Sequence, residues 1–156
     1  MRIESPVPAD TDEIAELWVA LADGQRAFGS HLAAAANRER IGETIAHQIA
    51  EDNLLVARTE GEIVGFVMFT VEYRLYAVDT TRGMVHNVYV VPEKRGEGIG
   101  AALMDAAEAA LVEKGAEAIA LEVLAENEAA RAFYADRGYG AHRLELEKGV
   151  ETDNTP

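Results

Sequence analysis

Cysteine is absent from the 156 residues, which excludes disulfides, thiolate metal ligands and a cysteine nucleophile. Serine is nearly absent too: Ser5 and Ser30 are the only ones, and neither sits in a G-x-S-x-G elbow. A covalent acyl-enzyme route therefore has no candidate nucleophile of the usual kinds. No apolar run approaches the roughly 20 residues of a membrane span, and the opening Met1-Arg2-Ile3-Glu4-Ser5-Pro6 does not read as a signal peptide. The expectation is a cytoplasmic protein with no membrane partner. Lysine is limited to Lys94, Lys114 and Lys148, and acids outnumber Lys and Arg by 28 to 14, for a net charge of −14. A nucleic acid would meet repulsion over most of such a surface, so none is expected as a partner. The acidity has two readings: attraction of a cationic substrate, or adaptation to high salt, which screens the repulsion. Scarce lysine beside abundant acid favours the second, a halophile-like balance. His31, His47 and His142 show no metal-ligand spacing with one another, and no metal is expected.

What the chain does have is one stretch around which the rest is arranged. Val85-His86-Asn87-Val88-Tyr89-Val90-Val91 is β-branched and aromatic, and Pro92 stops it as a strand. Ile99, Leu103, Ala107 and Leu111 then recur at one-turn intervals and predict a helix. Between them Arg95-Gly96-Glu97-Gly98-Ile99-Gly100 leaves amide N–H groups uncovered at the start of that helix, where their partial positive charge suits a phosphate or pyrophosphate. Arg95 adds a cation. No Lys-Ser or Lys-Thr follows the glycines, so this is not a P-loop. Gly96, Gly98 and Ala101 do spell the dinucleotide G-x-G-x-x-A, with Glu122 about 20 residues on as the acid. That fingerprint, however, places its first glycine directly after the strand, and here Pro92-Glu93-Lys94-Arg95 intervene. A dinucleotide-binding protein remains the lesser alternative.

The run V-x-P-x-x-R-G-x-G-I-G, from Val90 to Gly100, resembles the acyl-CoA loop of the GCN5-related N-acetyltransferases, the GNAT superfamily. Other segments fit the same family. A first strand ends at Pro6 and Pro8, and Asp10 with Glu13 three residues later predicts a helix start. Ile14, Leu17, Trp18 and Leu21 make one helical face, closed by Gly24, with Trp18 in the core. Residues 25–37 are irregular, and Ile41, Ile45 and Ile49 mark a second helix. Strands over 53–58 and 63–75, joined at Glu60-Gly61-Glu62, read as a hairpin. Further strands are predicted over 118–123 and 139–147, with a helix capped by Asn127 and stopped by Gly138 between them. Residues 1–150 make a single domain, and 151–156 a polar tail. The resemblance implies an α/β (α+β) GNAT fold in β-α-α-β-β-β-α-β-α-β order, with a mixed central sheet of about six or seven strands. It also implies that the central strand and the one carrying Glu122 splay apart to admit the pantetheine arm of the cofactor.

Acyl transfer from a thioester to an amine requires a held cofactor, a deprotonated amine, a polarised carbonyl and a proton for the departing thiolate. Leu121-Glu122-Val123 with Asn127, Ala130, Phe133 and Tyr134 completes L-E-V-x-x-x-N-x-x-A-x-x-F-Y, which resembles the catalytic half of that family, particularly its ribosomal-protein alanine N-acetyltransferase branch. The resemblance implies Glu122 as base, often through water, and Tyr134, twelve residues later, as acid. Glu122 could equally be a solvated strand residue. A phenol with an ordinary pKa near 10 is protonated at pH 7 and can supply a proton or hydrogen bond to the thiolate. His86 is a second candidate base or an interior hydrogen-bonded residue, with Asn87 on the opposite face by strand alternation. The same resemblance gives main-chain groups of Val88, Tyr89 and Val90 to the pantetheine arm, and the N–H groups of Arg95, Gly96, Glu97, Gly98, Ile99 and Gly100 to the pyrophosphate. Asn127 and Tyr134 would also contact the cofactor. Acetyl-CoA is the expected cosubstrate, and a primary amine, on a protein N-terminus or a small molecule, the expected acceptor. A module that senses acyl-CoA without turnover is the alternative, and a homodimer is consistent with the resemblance.

Overall fold

The computed structural model describes residues 1–150, so the polar tail expected over 151–156 lies outside the described residues. The sheet grows from one tight hairpin. Glu60 and Gly61 both take positive φ, 52° and 82°, the pattern of a type I′ turn, whose twist matches that of the strands it joins. These are β2 (Leu54–Thr59) and β3 (Glu62–Val71), with Thr59 opposite Glu62. β1 (Arg2–Glu4) lies antiparallel to the outer side of β2, and β4 (Arg82–Val90) antiparallel to β3. β5 (Ala118–Leu121) runs parallel to β4 and completes a five-stranded mixed sheet in the order β1-β2-β3-β4-β5.

Every residue of β3 from Ile63 to Phe69 is buried, as a strand must be when both faces of its sheet are covered. On one face α1 (Thr11–Gln25) and α2 (Arg38–Ala50) set Ile14, Trp18, Ile41 and Ile45 against Val56, Phe66, Met68 and Tyr89. On the other, α3 (Ile99–Glu113) sets Leu103, Met104, Ala107 and Leu111 against Val67, Phe69 and Val85. α4 (Glu128–Asp136) packs Phe133 and Tyr134 on the edge of this second cluster. Gly65 lets α3 come close to the end of β4: a Cβ there would lie 2.7 Å from the Tyr89 carbonyl oxygen and 3.1 Å from Leu103 Cδ1.

Three expectations are corrected, and a fourth holds in position only. Gly24 does not close the first helix; the chain passes through a 3-10 turn, Arg26–Phe28, and stops at Gly29, whose φ of 97° is left-handed. Asp10 stands at the N-cap position where the helix start was expected, but its carboxylate bonds no N–H of α1. Its carboxylate instead accepts from the Val7 N–H at 2.9 Å and from Arg58 Nη2 at 2.6 Å, a partner 48 residues away. The hairpin's second strand ends at Val71, and Tyr73, Leu75 and Tyr76 are solvent-exposed. Finally, among the described residues no strand forms over 139–147, so the sheet has five strands where about six or seven were expected. The Leu144 and Leu146 alternation is present, but no strand pairs with it.

The end of β3 is tied to the start of β4 by a carboxylate clamp. Glu72 accepts from Arg82 Nη2 at 2.7 Å and Nε at 3.1 Å, and from Arg74 Nε at 2.7 Å. Arg82 chiefly, with Arg74, pulls the Glu72 carboxyl down to about 2 from its ordinary 4.5. A carboxylate with a depressed folded pKa stabilises fully above its unfolded value and loses that contribution as pH falls through the folded one. Glu72→Gln is therefore expected to cost about 1–2 kcal/mol in urea unfolding at pH 7, with the difference from wild type shrinking as the pH falls from about 4.5 towards 2.

Candidate active site

The centre of the site is an irregularity in β4. Met68 pairs with Asn87 and Phe69 with Val85, leaving His86 as an extra residue, a β-bulge. The bulge resets the alternation: Gly83 and Val85 face α3 before it, and Val88 and Val90 after it. Asn87 lies opposite Met68 and thus on the α1–α2 face, where His86 also reaches, its Nε2 lying 2.7 Å from Thr70 Oγ1. The expectation that Asn87 would take the face opposite His86 is corrected; the bulge turns both the same way.

The bulge also marks where the sheet opens. Pairing between β4 and β5 runs only from Arg82 with Ala118 to Val85 with Leu121. Beyond it β4 continues to Val90 while β5 has ended, so among the described residues the edge of His86 to Val90 has no strand beside it. The Val91 N–H points back at β3, donating to the Val64 carbonyl at 2.9 Å. By alternation the main-chain groups of Val90 and Val88 then turn to the open edge, and those of Tyr89 to β3. The Tyr89 ring packs 6.5 Å from that of Phe66.

At the end of this edge lies the glycine loop. Gly96 and Gly98 adopt φ of 81° and 83°, which L side chains resist, and a Cβ on either would meet nothing within 4 Å. Gly98 is the N-cap of α3 and its carbonyl accepts from Ala102. Among the described residues the N–H groups from Gly96 to Ala101 find no acceptor, and no acid occupies the first turn of α3. This is a run of donors at the positive end of a fifteen-residue helix. Arg95 folds back: its Nε donates to the Val90 carbonyl at 2.9 Å and its guanidinium lies 5.4 Å from the Tyr89 ring centre. It pins the loop to the strand end.

α4 closes the third side. A Cβ on Gly100 would lie 3.8 Å from Phe133 Cζ and 3.9 Å from Val90 Cγ2, so strand end, helix start and α4 converge at one point. Asn127 caps α4, its Oδ1 accepting from the Ala130 N–H at 3.1 Å. Tyr134 stands edge-on between Phe133 and Tyr139, with ring centres at 5.2 Å and 5.9 Å, and burial raises its pKa. α4 is braced on α3 by Arg137, which bonds Asp105 at 2.6 Å and also Glu108, while the Tyr139 hydroxyl donates to Glu108 at 3.2 Å. Those contacts hold Tyr134 in place, and nothing in the local sequence announced them.

A model of the acetyltransferase (GNAT) family matches residues 18–139, which take in the second half of α1, all of α2, the bulge, the loop and Tyr134. The chain belongs to the GNAT family. An uncharacterized N-acetyltransferase of Archaeoglobus fulgidus is 38% identical over 56% of this chain and 59% of its own. The mycothiol acetyltransferase of Paenarthrobacter aurescens is 36% identical over 67% of this chain but only 32% of its own. The matches therefore span about three fifths and one third of those relatives' lengths. Among solved structures, a GCN5-related N-acetyltransferase from Ralstonia eutropha superposes with a TM-score of 0.73 at 23% identity, covering 96% of this chain and 97% of that one. A ribosomal-protein-alanine N-acetyltransferase from Brucella melitensis biovar Abortus gives 0.66, also at 23%, over 96% and 98%. At these identities the likeness is one of fold.

In this GNAT chain the electrostatics of the bulge set His86 apart. Desolvation lowers its pKa below 6.5, and the Glu122 carboxylate, just past the end of β5, opposes that shift. The fold thus brings His86 and Glu122, distant in sequence, within electrostatic reach of each other at the opening. Both residues are solvent-exposed. Thr70, which sequence reading passed over, supplies the partner of the imidazole; the only signal for it was its place on the neighbouring strand of the hairpin.

Proposed function

We propose that this chain is an acetyl-CoA-dependent N-acetyltransferase that passes the acetyl group directly to a primary amine. The observation carrying the proposal is the open edge of β4 leading into the unpaired N–H groups of Gly96 to Ala101. The edge suits an amide-bearing arm, through the main-chain groups of Val88 and Val90. The loop suits a pyrophosphate. Arg95 serves by fixing the loop rather than by facing the anion, and Asn127 by setting the start of α4.

In the transfer the amine nitrogen bonds to the thioester carbonyl carbon, and the carbon–sulfur bond breaks. The amine must first lose a proton, and the departing thiolate must gain one. Tyr134 supplies the second from a phenol that burial keeps protonated. The pair His86–Glu122 accepts the first, directly or through water. An α-amino group, with an ordinary pKa near 8, is a better match to this pair than a lysine amine near 10.4, so a protein N-terminus or a small α-amine is the proposed acceptor class. The absence of a usable serine or cysteine supports direct attack.

The proton acceptor is tested by the pH dependence of kcat/KM. With His86 as acceptor, its neutral form is the active one and the acid limb falls below pH 6.5. Because the Glu122 carboxylate raises the imidazole pKa, Glu122→Gln would then move that limb to still lower pH while keeping most of the rate. With Glu122 as acceptor, the same substitution lowers kcat by about 10²-fold or more at every pH. A wild-type rate and an unmoved limb in both Glu122→Gln and His86→Ala would remove the pair from the mechanism.

A further inference from the structure

We propose that Thr70 is a positioning residue for the proton transfer: its Oγ1 accepts the Nε2–H of His86 and so assigns the incoming proton to Nδ1. The role rests on the function proposed above, in which His86, with Glu122, takes the acceptor's proton. Alternation along β3 puts Thr70 on the side of Phe66 and Met68, the α1–α2 face that His86 also reaches. In register Thr70 pairs with Met84, and the extra residue of the bulge, two positions on, meets its hydroxyl. Oγ1 and Nε2 are 2.7 Å apart, and among the described residues this is the imidazole's one hydrogen bond. β3 flanks β4 on the side away from β5, so Thr70 holds the ring from the side opposite the opening. An exposed histidine without such a partner turns freely about its outer torsion; this bond removes that freedom.

A hydroxyl can donate to a ring nitrogen or accept from it, and the two polarities have opposite consequences. With Thr70 donating to Nε2, the proton of the neutral ring would sit on Nδ1, and no bare nitrogen would remain to take another. With Thr70 accepting, Nε2 carries the proton and Nδ1 is bare. The 2.7 Å separation lies within the range of N–H···O bonds. This polarity also survives the transfer, since Nε2 keeps its hydrogen in the neutral ring and in the imidazolium alike. No group then has to reorganise as charge appears on the ring. The hydroxyl's own hydrogen is left to solvent, which half-buried Thr70 reaches. In the transfer an ammonium proton of the acceptor passes to Nδ1, and its bonding pair stays on the amine nitrogen for the attack. The imidazolium, favoured by the Glu122 carboxylate, later returns the proton to solvent. Thr70 neither gains nor loses a proton.

The test compares ¹⁵N-labelled wild type with Thr70→Val and Thr70→Ser by NMR at pH 8, where a pKa below 6.5 leaves the ring neutral. The wild type is expected to show a bare Nδ1 and a protonated Nε2, whose hydrogen exchanges slowly enough to be seen. In Thr70→Val that hydrogen is lost to rapid exchange with water, and kcat falls about 10-fold, part of what a general base contributes. KM for acetyl-CoA stays the same, because β3 is not the edge proposed to hold the cofactor arm. Valine is β-branched like threonine and suits the strand, so the fold is kept. Thr70→Ser retains the hydroxyl and restores both the signal and the rate. A proton on Nδ1 in the wild type, or a wild-type kcat in Thr70→Val, would overturn the role of Thr70. Impaired turnover in His86→Ala beside either result would remove Thr70 alone, whereas a wild-type rate in His86→Ala would remove His86 as acceptor and Thr70 with it.

Discussion

Gly98→Glu is expected to abolish acetyl-CoA binding measured by calorimetry, a loss of more than about 10²-fold, while leaving the fold intact. Two effects combine. Gly98 sits at φ 83°, where an L residue costs about 1–2 kcal/mol, so the loop pays to keep its shape. The new carboxylate then competes with the pyrophosphate for the N–H groups of Gly96 to Ala101, each worth about 1.5–3 kcal/mol when bonded to a charged group. The same carboxylate is favourable at a helix N-terminus in the free protein, and a Cβ there meets nothing within 4 Å, so the melting temperature should change by only a few degrees. Salt separates the two effects. Repulsion between anions is screened within about 3 Å at molar salt, whereas backbone strain is not. The affinity lost by Gly98→Glu should therefore recover in part at molar salt, and that lost by Gly98→Ala, which carries strain alone, should not. Full affinity in Gly98→Glu would sink the assignment of the loop. Titration with NAD is the control for the dinucleotide alternative, which the fold disfavours: a single pair of strands in the sheet is parallel.

The features legible in the sequence were those written in local chemistry. Glycines at 96 and 98, the proline that ends β4, the one-turn spacing of Ile99, Leu103 and Ala107, and Glu60-Gly61 between two apolar runs each dictate a backbone conformation on their own. What could not be read was set by partners elsewhere in the chain. Asp10 marks the start of α1 as read, but its carboxylate turns to Arg58 rather than to the helix N–H groups, and that partner lies 48 residues away. His86-Asn87 looks like regular strand, because a bulge adds a residue without changing composition; only the register against Met68 and Phe69 exposes it. The alternation of Leu144 and Leu146 is a sound strand signal, yet a strand exists only where another strand accepts its hydrogen bonds, and none does in the described chain. The site divides along the same line. Its loop was legible because anion binding by free N–H groups is local. The electrostatic coupling of Glu122 to His86 was not, since it depends on where β4 and β5 part.

Tyr134→Phe is the sharpest test of the chemistry, with an expected fall in kcat of about 10²-fold and little change in acetyl-CoA affinity. The substitution removes one oxygen and keeps the ring. Its edge-on contacts with Phe133 and Tyr139 are made by ring atoms, so α4 keeps its position and stability should move by less than about 1 kcal/mol. Loss of rate without loss of fold or affinity then isolates the hydroxyl. Burial raises the pKa of Tyr134, so the phenol stays protonated to at least pH 10 and the wild type should show no alkaline limb from this group below that. An alkaline limb near 8 that persists in Tyr134→Phe would belong to the acceptor amine or another group. A limb that vanishes with the hydroxyl would mean that Tyr134 titrates in the wrong range for a proton donor, and a wild-type rate in Tyr134→Phe would mean that the thiolate finds its proton elsewhere. The neighbouring Tyr139→Phe is the matched control: its hydroxyl donates to Glu108 in the brace between α3 and α4, so its loss should lower stability and leave the kcat pH profile in place.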